Sequence, residues 1–230
     1  MNEIAVYAIP GFREPFSCLT HLGAIPVFVV LGCLLIRKGR RSIGSAVSLT
    51  IMTLSTIFLL SMSGVYHLLA PGPVRDVMRL LDVCGVFVLI AGTITPVHTI
   101  LFRGAARWWP LLAVWTLATT GIVFKSVFAD RFPPSFELGS FLAMGWGGLV
   151  SFIFLCRKHG FPFVAPLMWG GLAYTTGAIL LAAQGPTLIP GVITAHELWH
   201  VAVLAGLGFH WQFVFQFADW ESPAGQATCQ

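Results

Sequence analysis

His196-Glu197-Leu198-Trp199-His200-Val201-Ala202-Val203-Leu204-Ala205-Gly206 opens an apolar run over 194–217 that carries no charge between Glu197 and Asp219. Its length, near the ~20 residues that cross a bilayer core as a helix, decides the fold. On that helix His196 and His200 lie one turn apart on one face, about 6 Å along the axis. Two imidazoles at this spacing can bind one metal ion. Inside a membrane they are costly unless they have a partner or a task.

Working outward, six more runs of similar length precede this one, at 20–36, 44–69, 77–101, 108–128, 137–156 and 163–183. The 230 residues are 57% hydrophobic and 10% charged, where a soluble domain carries about 25% charged residues. Mean hydropathy is +0.84. The chain therefore reads as an integral membrane protein. With no water to satisfy exposed backbone, each run must be a helix, and the fold class is an all-α seven-transmembrane helix bundle. A barrel is excluded, because its strands are half as long and alternate. One membrane domain is expected over 1–230. It has a short interfacial lead segment over 1–19, with Pro10, Gly11 and Pro15, and a short tail over 218–230. Arg13 and Glu14, rather than a basic stretch, precede the first run, and no small-x-small cleavage site follows it, so no cleavable signal peptide is expected.

The loops are short and hold most of the charge. Pro71-Gly72-Pro73, Pro133-Pro134, Gly185-Pro186 and Pro190-Gly191 punctuate them. The basic residues form no stripe, so nucleic acid is not an expected partner and the bilayer is. Arg37, Lys38, Arg40, Arg41, Arg103, Arg107, Arg157 and Lys158 fall on one side; Arg13, Arg75, Arg79, Lys125 and Arg131 fall on the other. That count favours an external N-terminus by the positive-inside rule. The cysteines Cys18, Cys33, Cys84, Cys156 and Cys229 form no CxxC pair and read as small buried hydrophobes.

Few ionisable residues fall within the spans, and topology brings four of them together. His67 ends the second span, Asp82 lies just inside the third, and His196 and His200 open the seventh. At 1.5 Å per residue all four lie within roughly 10 Å of one membrane boundary. Ser63, one turn before His67, faces the same way. Three histidines with an open position are the ligand set of a catalytic zinc site. Zinc lowers the pKa of bound water to about 7. Asp82 is the carboxylate placed to take a proton, and Ser63 the hydroxyl placed to stabilise an oxyanion or to orient His67. A bland alternative makes each histidine an interhelical hydrogen bonder. Arg79, three residues before Asp82, could pair with that carboxylate instead.

Residues 196–200 also match the HExxH pattern, which would make Glu197 a general base of a zinc protease. Glu197 points about 100° away from His196, however, and a carboxylate at a helix start is favoured by the macrodipole alone. His210, ten residues on, is about 15 Å deeper and too far to join the first two. His21, at the start of the first span, His98 and His159 read as local hydrogen bonders or interfacial residues.

Ser63-x3-His67, then Asp82, then His196-x3-His200 resembles the signature of the hemolysin III proteins, within the progestin and adipoQ receptor family that includes the adiponectin receptors. The resemblance extends to Pro10-Gly11-Phe12-Arg13-Glu14-Pro15, Leu19-Thr20-His21, Leu81-Asp82 through Ala91-Gly92-Thr93-Ile94-Thr95-Pro96, Gly170 through Ala178, and Val203-Leu204-Ala205-Gly206 with His210. It implies a seven-helix bundle in a bacterial-type plasma membrane, with zinc held by His67, His196 and His200. It implies that Asp82 contacts the metal through a water, with Ser63 beside it. The wider superfamily includes alkaline ceramidases, which implies hydrolysis of a lipid amide and a lipid as substrate or ligand. For the receptor branch it also implies a cytoplasmic N-terminus, opposite to the charge count. Two features depart from or vary within the family: Val83 stands where histidine often follows the aspartate, and the Glu inside His-x3-His varies. The competing readings are a receptor or sensor with a structural zinc, a pore-forming protein, for which no ring of charges is present, and a membrane protease using Glu197.

Overall fold

The computed structural model describes residues 11–128, 131 and 133–220. Eight helices occur among them: α1 (Pro15–Gly39), α2 (Ile43–Leu68), α3 (Pro73–Leu101), α4 (Ala105–Val127), α5 (Pro134–Trp146), α6 (Leu149–His159), α7 (Phe161–Ala182) and α8 (Ala195–Phe217). No strand is present among the described residues beyond one isolated bridge, Ile189 to Ile193. Seven helical segments are long and apolar enough to cross a membrane, with α5 and α6 together making the fifth over Ser135–His159.

Two of the helix starts that differ from the sequence reading share one reason. The first span begins at Pro15, not residue 20, and the third at Pro73, not residue 77. Each proline sits in the first helical turn, where its missing N–H has no helical acceptor to lose and its fixed φ suits the helix. Part of the expected lead segment is thus α1; residues 1–10, and the tail beyond 220, lie outside the described residues. The fifth span, expected as one helix, breaks at Gly147-Gly148.

Helices joined by the short loops α1–α2, α2–α3, α3–α4, α6–α7 and the longer α7–α8 loop pack against each other. α2 lies against both α1 and α3, α3 carries α4, α7 lies along α8, and α8 closes the bundle against α1 and α3. Small residues set the close crossings, as is usual where lipid removes the hydrophobic drive between helices. A Cβ on Gly206 would lie 2.6 Å from the Tyr174 ring, and one on Gly64 would meet the Leu22 side chain. Buried Leu60, Met52, Leu207, Trp211, Phe213 and Phe217 form the interior. Val30, Leu117, Val150, Trp108 and Trp109 face outward, as lipid-facing and interfacial residues do. Cys18 and Cys84 are buried as expected, whereas Cys33 is exposed on the outer face of α1.

Candidate metal centre

Three helix ends meet at one end of the bundle: the start of α1, the end of α2 and the start of α8. α8 starts there because Thr194 caps it. The Thr194 hydroxyl accepts from the His196 N–H (3.3 Å), and Glu197 at the third helical position accepts from the Thr194 N–H (3.0 Å) and hydroxyl (2.6 Å). This reciprocal capping box sets the first turn and aims His196 and His200 inward. α2 brings His67 from the opposite direction, one residue before its end.

The three imidazoles converge through the same atom. His196 Nε2 is 3.4 Å from His67 Nε2 and 3.1 Å from His200 Nε2. All three potential ligand atoms lie within 4.8 Å of one another. Two nitrogens on one tetrahedral zinc, each at about 2.0–2.1 Å, are about 3.3–3.4 Å apart. The two separations made by His196 lie near that edge and the third pair stays within 4.8 Å, so the group could hold a metal ion. His67 and His200 are buried, at 1% and 3% exposure.

His67 is oriented from outside its own helix. Its Nδ1 hydrogen-bonds the Glu14 carboxylate, and Arg75 bonds the other oxygen of Glu14 at 2.6 Å. Burial pushes the Glu14 carboxyl up, but the His67 hydrogen bond and the Arg75 guanidinium leave it below the usual carboxylate range. Ionised Glu14 accepts the Nδ1–H, which frees the Nε2 lone pair for the cluster. Metal-ligating histidines regularly have such a carboxylate behind them. The backbone fixes the pair, since the Arg13 and Glu14 N–H groups donate to the Leu68 and His67 carbonyls at 3.2 and 3.0 Å.

Asp82 lies on α3, which packs against α2, the helix that carries buried Ser63 and His67. Asp82 and Arg79 form no ion pair among the described residues. Glu197 turns away from the histidines. Its second oxygen accepts from Ser17 at 3.1 Å, so both oxygens serve the α8 start and the α1 contact. His98 lies near the far boundary, between the Ala106 carbonyl (3.0 Å) and Ser151 (3.1 Å), and His210 bonds the Leu167 carbonyl at 3.3 Å. His98 is thus the hydrogen bonder expected, and His210 stays apart from the cluster, as its spacing implied. His21 departs from its expected role: its ring lies 4.2 Å from that of His200.

Residues 11–211 match the family described as haemolysin-III related. The chain belongs to that family. It is 33% identical over 199 residues to a protein named Hemolysin-3 from Bacillus cereus, covering 84% of this chain and 86% of the relative. It is 31% identical over 200 residues to the Hemolysin-3 homolog of Bacillus subtilis (strain 168), covering 84% and 89%. An uncharacterised protein of Schizosaccharomyces pombe is 25% identical over 231 residues, which cover 91% of this chain but 52% of that longer relative. The chain is a multi-pass integral protein of the bacterial plasma membrane.

Proposed function

We propose that the protein is an intramembrane zinc-dependent hydrolase of a lipid amide. His67, His196 and His200 bring three imidazole nitrogens within 4.8 Å of one another, a donor set suited to zinc. When bound there, zinc supplies Lewis acidity and water of lowered pKa at neutral pH. The chain's own residues do the rest. Asp82 takes the proton of the attacking water and passes it to the amide nitrogen as the carbon–nitrogen bond breaks. Ser63, buried one turn before His67 on α2, is the hydroxyl that stabilises the oxyanion or orients His67.

The observation that carries the lipid reading is an apolar cavity of about 190 Å³ whose lining starts about one helical turn from these residues. Leu59 lines it one turn below Ser63, Val86 one turn beyond Asp82, and Val203 three residues past His200. Trp199, Phe141 and Tyr174 extend it along the bundle. A carbonyl held at the histidines would hang its acyl chain there. Mass spectrometry of fatty acid released from N-acyl lipids in nanodiscs tests the reading. Zinc-loaded wild type should release acid, and Asp82→Ala should lose that activity while keeping its metal. Full turnover by Asp82→Ala would refute the proton role, and no turnover across a panel of lipid amides would refute the hydrolase reading.

The deep burial of His67 and His200 favours a second reading, a receptor or sensor with a structural zinc. In that case removing zinc lowers thermal stability and no lipid is consumed. Three protein ligands rather than four favour catalysis over this alternative.

A further inference from the structure

His21 is buried to 3% exposure at the α1–α8 contact, and neither of its ring nitrogens has a hydrogen-bond partner. His200 Nδ1, in the adjoining ring, has none either. These are three of the six buried, unpartnered side-chain polar atoms among the described residues. The two rings do not bond directly, being tilted by 37° with centroids 4.2 Å apart. The His200 carbonyl approaches the His21 ring without completing a hydrogen bond. One turn earlier along the same contact, Ser17 does reach Glu197.

Buried polar groups without partners are costly and are regularly satisfied by internal water. A neutral imidazole offers one donor and one acceptor. We propose that His21 and one buried water form the outer hydrogen-bond partner of His200, doing for that ligand what Glu14 does for His67. The His200 Nδ1–H donates to the water, and the water donates to a ring nitrogen of His21. His200 is thereby held in the tautomer that directs its Nε2 lone pair at the cluster. This makes His21 a positioning residue and rests on the metal-centre reading.

The test uses the full chain in nanodiscs. Zinc affinity is measured by chelator competition and the ligand field by visible absorption of the cobalt-substituted protein, beside the melting temperature of the metal-free form. His21→Phe keeps a ring but removes both nitrogens. It should weaken zinc binding by about 10–100-fold and shift the cobalt bands. His21→Gln, which keeps a donor and an acceptor, should recover most of the affinity. Wild-type affinity and spectrum in His21→Phe would overturn the proposal. A measurement on the wild type stands apart from the folding of any variant: in nitrogen-15 histidine spectra of the zinc-loaded protein, the His200 Nδ1–H should show a nuclear Overhauser contact to a long-lived water. An Nδ1–H without that contact would overturn it too. If wild type and His67→Ala alike bind no zinc, the metal-centre reading falls and this proposal with it; zinc binding indifferent to His21→Phe defeats the His21 proposal alone.

Discussion

His67 faces two ways. One ring nitrogen meets Glu14 and the other meets the two imidazoles of α8. Glu14→Gln should therefore lower zinc affinity by about 10–100-fold without unfolding the protein, as read by chelator competition. Unchanged affinity would mean that the His67 ring is held by packing alone. For Glu197 the prediction is the reverse. Glu197→Gln keeps an acceptor for Thr194 and Ser17, so metal content and lipid turnover should stay at wild-type level; loss of a peptide-cleaving activity with zinc retained would restore the protease reading. The meeting of His67, His196 and His200 was legible in the sequence because spans of known direction bring their ends to one depth. The same argument reaches Glu14 and His21, since the first span starts at that boundary. Pro15, read as part of a lead segment, hid the start of α1 and left Glu14 in that segment, without chemistry. What no spacing reveals is that His21 is buried against His200, because it depends on the angle at which α1 crosses α8.

At the scale of the helix, the seven spans were legible because hydrocarbon thickness sets their length and their backbone polar groups have no other partner. The Gly147-Gly148 break was not, because paired glycines are also common at close helix crossings. The α8 cap ties local structure to the site. Thr194→Ala should destabilise the protein by about 0.5–2 kcal/mol and weaken metal binding too, since His196 and His200 occupy the first two turns. A thermal melt with and without zinc separates the two effects; a melting temperature equal to wild type would contradict the capping account. The α7–α8 crossing makes a sharper demand. Gly206→Ala sets a methyl 2.6 Å from the Tyr174 ring, and overpacking of this kind costs about 1–3 kcal/mol. Wild-type stability in that variant would mean the helices separate at little cost.

Across the whole molecule, the histidine cluster sits at one end of the bundle, and the lining of the apolar cavity starts about one turn from it, at Leu59, Val86 and Val203. If the cavity holds an acyl chain, Ile90→Trp, on the cavity wall, should depress turnover of long-chain amides more than short-chain ones and leave zinc content alone. An equal effect at every chain length would place the chain elsewhere. This cavity was not legible in the sequence, since its lining comes from α2, α3, α5, α6, α7 and α8 and no local pattern records it. The central claim is that His67, His196 and His200 share one ion. It is tested most directly by the metal content of the purified wild type beside His67→Ala and His196→Ala. The account predicts about one zinc per chain, lost in both variants. A folded wild type without zinc, or variants that keep it, would contradict the account and leave the three histidines as interhelical hydrogen bonders.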